Sequence, residues 1–210
     1  DTVPLMGVLG RDIAISRNDG TGSFGEAVSI GESPLDPNVL WVGMDDGNLQ
    51  VSRDGGTRWT EVSGNVPGIP PGTYVSRITP SATAPGSAYA AFDAHRDGDF
   101  SPYVFRTTDF GASWEPLMTG LPSGSVNEII EHPDAPNVLF LGSEHHLFVS
   151  TDAGLHWAKW PGMPTTHYDD LLIHPREKDL VIGTHGRAIW ILDDTRPLAE
   201  WSAGILAAPA

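Results

Sequence analysis

One motif recurs three times along the chain, and it constrains the fold more than any other feature of the sequence. It has the form S/T-x-D-x-G-x-x-W, and its copies span Ser52–Trp59, Thr107–Trp114 and Ser150–Trp157. The aspartates of successive copies are 55 and 43 residues apart. Self-similarity at a period of about 20–50 residues is typical of repeat architectures, in which each repeat forms one supersecondary unit. The sequence therefore predicts a repeat protein.

A second pattern, a turn followed by an apolar strand, precedes the motif in the same phase. It spans Ser33–Gly43, His132–Gly142 and His174–Gly183, with a looser copy over Pro80–Phe92. Two independent patterns in one phase make a chance match implausible. No stretch has a convincing 3.6-residue period, so no helix is expected.

Each repeat is predicted to contain four short strands. β-Branched and aromatic runs bounded by Gly, Pro, Asn and Asp indicate strands. A total of 24 Gly and 18 Pro fits many turns between them. In the third repeat the predicted strands are Val126–His132, Val138–Gly142, Leu147–Thr151 and Trp157–Trp160.

Four-stranded units of about 40–50 residues are typical of β-propeller blades. We predict an all-β fold, in which residues 1–210 form a single β-propeller segment of about four four-stranded blades with hairpins at the motif. Residues 1–27 would form a partial blade or supply a closing strand, with a degenerate motif copy over Ser16–Phe24 and the strand near Asp12–Ser16. In the last blade, Thr195–Pro197 interrupts the pattern, so its outer strand is expected to be weak or missing. The blades are predicted at residues 28–66, 74–122, 125–164 and 168–200.

The motif, called the Asp box below, has a mechanical interpretation. Its Asp would accept hydrogen bonds from N–H groups of its own turn, and its Gly would take a positive φ. Its Trp would bury a large ring between neighbouring sheets. These residues are therefore interpreted as structural and not catalytic: Asp54, Gly56, Trp59, Asp109, Gly111, Trp114, Asp152, Gly154 and Trp157.

The charge of the chain excludes one class of partner. The formal net charge is −15, with 27 acidic and 12 basic residues. Such a surface repels phosphate backbones, so no nucleic acid partner is expected. No apolar stretch is long enough to span a bilayer, so no membrane insertion is expected. The absence of Cys excludes disulfides and thiolate metal sites.

Longer segments carry a resemblance to a known family. Gly43–Gly56, Tyr74–Arg77, Phe92–Asp97 and Gly183–Asp194, with the Asp boxes, resemble the secreted bacterial BNR-repeat proteins of the sortilin (VPS10)-like "glycosyl hydrolase" group. The resemblance covers nearly the whole chain. It implies a secreted, periplasmic or cell-surface location and a slice of a larger propeller, and it brings no agreed catalytic residues. The chain begins at Asp1 and carries no signal peptide, so it is expected to be a processed or excised product.

Propeller geometry places candidate ligand-binding residues on one face. By analogy with other propellers, the loops between second and third strands share a face with the loops between blades, opposite the Asp boxes. Ligand residues prefer such loops on a rigid scaffold. The predicted ligand-binding residues are Tyr74, His95, Arg96, His145, His167, Tyr168, His185 and Arg187.

No metal site and no cofactor are predicted. His145 and His146, with His167 and His185, suggest a metal site, but neighbouring strand residues point to opposite sides. The acidic turns Asp45–Asn48 and Asp97–Asp99 resemble calcium loops, the only cofactor hypothesis left open. They lack the full ligand spacing and are interpreted as solvated turns.

We predict an extracytoplasmic scaffold or ligand-binding module whose ligand is a glycan or a protein. The alternative is a glycoside hydrolase, which needs two carboxyls of suitable separation. The catalytic candidates for this alternative are Glu144, Asp46 and Asp169. A sialidase is not expected, because the Arg-Ile-Pro signature is absent. The other predicted partner is the rest of a longer propeller or a second copy.

Overall fold

The structure is a computed structural model that describes residues 4–5, 8–9 and 25–207, with side chains for residues 25–201. Two short strands, β1 (Pro4–Leu5) and β2 (Val8–Leu9), pair antiparallel near the N-terminus. The predicted closing strand at Asp12–Ser16 and the degenerate motif at Ser16–Phe24 lie outside the described residues.

Four antiparallel sheets follow one another along the chain, as the repeats predicted. We call them blades 1 to 4, and in each the strands are hydrogen-bonded in chain order. Blade 1 contains β3 (Ala27–Glu32), β4 (Leu40–Met44), β5 (Leu49–Ser52) and β6 (Thr60–Glu61). Blade 2 contains β7 (Tyr74–Pro80), β8 (Ala88–Asp93), β9 (Val104–Thr107) and β10 (Glu115–Pro116). Blade 3 contains β11 (Val126–His132), β12 (Ala135–Ser143), β13 (Leu147–Ser150) and β14 (Ala158–Lys159).

Blade 4 has three strands within the described part of the chain. They are β15 (Tyr168–Ile173), β16 (Leu180–Thr184) and β17 (Ile189–Leu192). After them comes a helix, α1 (Arg196–Ala207), where no helix was predicted from the sequence. Pro197 sits in its first turn, a position that proline favours. Leu198 and Ala199 of this helix pack against the core between blades 3 and 4.

The core lies between the blades in three separate layers. One cluster joins blades 1 and 2, and Trp41 meets Trp114 in it edge to face at 6.1 Å between ring centroids. A second joins blades 2 and 3, and a third joins blades 3 and 4. Sheets that stack face to face and meander outward in chain order are the arrangement of propeller blades.

Each Asp box closes a hairpin through the same set of hydrogen bonds. In blade 2, Asp109 Oδ1 accepts the N–H of Ser113 at 2.9 Å and the hydroxyl of Thr107 at 2.9 Å. The Thr107 hydroxyl oxygen accepts the N–H of Gly111, whose φ is 82°. Phe110, just before this glycine, also has a positive φ of 59°, which the motif alone did not predict. Equivalent bonds form at Asp54 and Asp152.

The three box tryptophans differ in burial. Trp114 is buried, and Trp157 is partly buried and donates its indole N–H to the carbonyl of Leu117 at 2.8 Å. Trp59 is 39% exposed and donates to the carbonyl of Gly56 in its own turn. The prediction of a buried ring was wrong for Trp59: Trp114 packs on Trp41 of the blade before its own, and no described blade precedes blade 1.

Removing the box carboxylate should destabilise the fold. Asp109→Ala is expected to lower the free energy of unfolding by about 1–2 kcal/mol, because the N–H of Ser113 and the hydroxyl of Thr107 lose their acceptor. Chemical denaturation measures the change. Asp193→Ala, an exposed Asp outside the boxes, is the control and should shift stability by less than about 0.5 kcal/mol. Equal losses in both variants would contradict a structural role for the box.

Large apolar side chains are exposed on the two outer sheets. In blade 1, Ile30 is 71% exposed, and in blade 4 Leu172, Ile189 and Ile191 are 58%, 71% and 61% exposed. The strands of blades 2 and 3 contribute no large exposed apolar residue. The outward faces of blades 1 and 4 are therefore apolar sheet surfaces. Within the described residues, no helix is long and apolar enough to cross a membrane.

Candidate functional site

Two sets of loops lie together on the face opposite the Asp boxes, as predicted by analogy. We call this the loop face. Its hydrogen bonds join the loops between blades to the loops within blades: the Glu144 N–H donates to Ser125 O at 2.9 Å, and the His185 N–H donates to His167 O at 3.0 Å. Its loops within blades span residues 45–48, 94–103, 144–146 and 185–188, and its loops between blades span residues 62–73, 117–125 and 160–167.

Five predicted site residues form a continuous row on the loop face of blades 3 and 4. His145 Nε2 lies 3.8 Å from Glu144 Oε2, and Glu144 Oε1 lies 3.8 Å from His167 Nε2. The other nitrogen of His167, Nδ1, lies 3.7 Å from Asp169 Oδ1, and Asp169 Oδ2 lies 3.8 Å from His185 Nδ1. We call these residues the histidine–carboxylate row.

The side chains of the row are at least partly exposed, and its imidazoles and carboxylates do not form hydrogen bonds with one another. Separations of 3.7–3.8 Å exceed hydrogen-bond length, so the three imidazoles and Asp169 can still bond to water or a ligand, whereas Glu144 Oε2 is buried and has no hydrogen-bond partner among the described residues. The side chains of His145 and His167 are about half exposed, and that of His185 is 85% exposed. Across the described residues, no group of three or more His, Asp or Glu side chains is placed to hold a metal ion.

Tyr74, His95 and Arg96 form a second group, on blade 2. The Arg96 guanidinium carbon lies 5.2 Å from the centre of the Tyr74 ring, a cation–π contact. His95 Nδ1 lies 2.5 Å from Asp93 Oδ2, and the other oxygen of Asp93 accepts the hydroxyl of Ser125.

The prediction that Tyr168 binds a ligand was wrong. Its side chain is completely buried in the core between blades 3 and 4, and its hydroxyl donates to Pro164 O at 2.6 Å. Tyr168 begins β15 and faces blade 3, whereas the next residue, Asp169, faces outward into the row. Arg187 is exposed, as predicted, in the loop before β17.

Asp46, the third carboxylate candidate, lies apart from Glu144 and Asp169. It lines a cleft of about 440 Å³ at blades 1 and 2, which neither of the other two lines. Carboxylates of the calcium-like turns accept hydrogen bonds from backbone N–H groups. Asp45 Oδ1 accepts the N–H groups of Gly25 and Glu26, and Asp46 Oδ1 accepts that of Asn48. Asp99 Oδ1 accepts the N–H of Ser101.

A network of Arg77 with two carboxyl groups on the innermost strands was missed by the sequence analysis. Arg77 Nε lies 2.6 Å from Glu128 Oε2, and Arg77 Nη2 lies 3.3 Å from Asp170 Oδ1. Burial raises the pKa of the Glu128 carboxyl to about 8, although the positive charge of Arg77 opposes the shift. The network therefore links blades 2, 3 and 4 along their first strands.

Register explains why these charges meet. The first strand of every blade has a β-bulge near its start. The residues that follow it pair with Gly43, Ala91, Gly142 and Gly183 of the second strands, and are Ser29, Arg77, Glu128 and Asp170. Aligning the repeats at these small residues is the sequence signal that would have brought the charges together.

A buried carboxylate also joins blades 2 and 3 on the box side. Glu131 accepts hydrogen bonds from Ser81, Thr83 and Tyr89, all between 2.7 and 2.9 Å. Burial, with the neighbouring Glu131, raises the pKa of the Tyr89 hydroxyl, which therefore stays protonated as the donor. Glu131 is satisfied by these donors, which indicates a structural role.

Part of the chain matches a known family. Residues 102–197, just under half of the chain, match the Sortilin-Vps10 family model, described as "Sortilin, neurotensin receptor 3". The match confirms the resemblance to sortilin-like BNR propeller proteins. No curated protein matches the sequence.

Solved structures share the fold at low sequence identity. The Niastella koreensis GH74 enzyme superposes with a TM-score of 0.63 and 12% identity, over 81% of this chain and 29% of that one. The Xanthomonas campestris GH74 xyloglucanase superposes with a TM-score of 0.59 and 17% identity, over 82% of this chain and 29% of that one. The extracellular domain of a putative one component system from B. thetaiotaomicron superposes with a TM-score of 0.59 and 14% identity, over 81% of this chain and 21% of that one. The chain thus spans less than a third of these proteins' length, and the likeness confirms a β-propeller segment.

Proposed function

We propose that this chain is a ligand-binding propeller module whose histidine–carboxylate row binds a neutral, hydroxyl-rich glycan. The observation that carries the proposal is the convergence of three imidazoles and two carboxylates from three loops and the start of β15. A rigid stack of blades holds these groups in place, which lowers the entropic cost of ordering them around a ligand.

The chemistry of the row matches sugar hydroxyls. A neutral imidazole offers one donor and one acceptor, and a carboxylate offers only acceptors. Hydroxyls both donate and accept, so they complement an alternating row of these groups. An anionic polysaccharide fits less well, because Glu144, Asp169 and the net charge of −15 repel it.

A glycoside hydrolase is the alternative function, and it is supported by the solved GH74 enzymes that share the fold. Its acid and base would have to flank a glycosidic bond. Between Glu144 and Asp169, however, lies the ring of His167, which contacts one carboxylate through each nitrogen. This arrangement favours binding over hydrolysis at the row.

The extracytoplasmic location is also a proposal. One solved structure of the same fold is an extracellular domain, which supports it. The apolar outer faces at Ile30 and Ile189 support the expected pairing with the rest of a longer propeller or with a second copy. A protein ligand is the other class expected from the sequence, and the glycan experiment below separates the two.

A panel of neutral and acidic polysaccharides, with xyloglucan oligosaccharides as first probe, tests the proposed ligand. We expect binding to neutral glycans, and about tenfold weaker affinity in His145→Ala and His185→Ala, since each loses one or more hydrogen bonds. His156→Ala is the matched control, because His156 is exposed beside Asp152 on the box side. Titration calorimetry measures the affinities.

Two outcomes would contradict the proposal. One is that no neutral glycan of the panel binds the protein. The other is that His156→Ala weakens binding as much as the two variants of the row.

A further inference from the structure

A cleft at blades 1 and 2 lies on the loop face away from the histidine–carboxylate row. Its volume of about 440 Å³ falls in the usual range for small-ligand sites. The loops at 45–48 and 62–73 form most of its lining, and no residue of the row contributes to it. It is therefore independent of the proposed glycan site.

The charged groups of the cleft have one sign. Asp46 and Glu61 both line it, and its described lining residues include no Lys, Arg or His. Apolar walls reduce the local dielectric and strengthen the field of such charges. The cleft therefore attracts cations and repels anions.

The hydrogen-bonding groups of the cleft are mostly acceptors. The hydroxyl of Ser63 donates to Glu61 Oε1 at 2.6 Å, and that of Thr73 donates to Pro70 O at 2.7 Å, so both hydroxyl hydrogens are used. Asn48 Oδ1 is buried and has no hydrogen-bond partner among the described residues. A buried acceptor without a donor is costly, which points to a ligand or water that supplies one.

Apolar residues complete the wall beside these acceptors. Val66, Ile69 and Phe92 line the cleft, together with Pro70 and Pro71. Proline has no N–H to donate, and the other three present hydrocarbon. A ligand with an alkyl stem and a donor-rich cationic head would bury the stem on this wall and reach the acceptors with the head.

We propose that this cleft binds the side chain of an arginine or lysine in a basic peptide. A guanidinium has five N–H donors and an ammonium has three, and neither accepts. Both satisfy the acceptor-rich lining in a way that a sugar hydroxyl or an anion does not. Asp46 and Glu61 pair with the charge.

Two model compounds test the charge requirement directly. N-acetyl-arginine methylamide is titrated into the protein, and N-acetyl-citrulline methylamide, its neutral near-isostere, is titrated in parallel. We expect the arginine compound to bind and the citrulline compound to bind at least about tenfold more weakly. Binding of the arginine compound should weaken as salt is raised, because ions screen the attraction. Equal affinity for the two compounds would overturn the proposal.

Variants locate the binding. Asp46→Asn and Glu61→Gln remove one charge each and keep an oxygen for the N–H of Asn48 and the hydroxyl of Ser63. Each substitution should lower the affinity for the arginine compound about tenfold. Glu32→Gln should leave this affinity unchanged, because Glu32 is an exposed residue of blade 1 outside the cleft. An unchanged affinity in both cleft variants would overturn the proposal. So would binding of Ca²⁺ alone, lost in the same variants, with no binding of the arginine compound.

Discussion

Gly142→Ala is expected to lower the free energy of unfolding by roughly 1–3 kcal/mol. A Cβ at this position would lie 2.8 Å from the carbonyl oxygen of Tyr168 and 2.9 Å from its Cβ. Gly142 belongs to β12 of blade 3, and Tyr168 begins β15 of blade 4. Because backbone atoms are involved, the clash is relieved only if the two blades move apart. Chemical denaturation of the purified protein measures the loss.

Gly183→Ala is the matched control for this variant. Gly183 pairs with Asp170 in blade 4, as Gly142 pairs with Glu128 in blade 3. A Cβ there would meet nothing closer than 3.5 Å, an ordinary contact, and neither glycine has a positive φ. The control should change stability by less than about 0.5 kcal/mol. Equal losses in the two variants would contradict the packing of blade 3 on blade 4.

Raising the pH from about 4.5 to about 8 should destabilise the protein through Glu128. Its folded-state pKa of about 8 lies above the ordinary value of 4.5, chiefly because the carboxyl is buried. The folded protein therefore binds this proton more tightly than the unfolded chain, and the stability that results is fully present below pH 4.5. This contribution to the free energy of unfolding is lost as the pH rises to 8, and the total loss is on the order of a few kcal/mol.

Glu128→Gln isolates this contribution, because glutamine cannot ionise and still offers an oxygen to Thr79 and the Ile129 N–H. The variant should be more stable than the native protein at pH 8 and should show a flatter pH dependence. Glu177→Gln, an exposed residue, should leave the slope unchanged. Denaturation at a series of pH values checks this, and parallel curves for Glu128→Gln and the native protein would refute it.

Periodicity and turn chemistry made the blades predictable. The strand predicted at Val126–His132 is β11 with the same bounds, because β-branched residues are followed there by a proline turn. The ends of the predicted strands farther out in blade 3 differ from the observed ends by at most three residues. The helix α1 was not predicted because its packing depends on residues that are distant in the sequence. Its apolar residues Leu198 and Ala199 pack against the core that strands of blades 3 and 4 form.

The candidate site was predictable to the level of loops, and less so to the level of side chains. The loop face followed from topology, so the sequence assigned His145, His167 and His185 to the ligand-binding set and Glu144 and Asp169 to the catalytic candidates, but it did not single out the row that they form. A β-bulge decides which neighbour in β15 points inward, and Tyr168 was assigned to the wrong side for that reason.

Long-range pairs were the least predictable part. Arg77 and Glu128 are 51 positions apart and belong to different blades. Only the alignment of bulged first strands brings them together. Their sequence neighbours give no sign of that contact.

Hydrogen exchange with and without a bound xyloglucan oligosaccharide tests the central claim, that the loop face binds the ligand. The account predicts slower exchange in peptides that cover residues 143–146, 160–169 and 184–188 when the oligosaccharide is added. The Asp-box hairpins at 52–59, 107–114 and 150–157 should exchange at unchanged rates. Protection confined to the Asp-box hairpins, with no change on the loop face, would contradict the account.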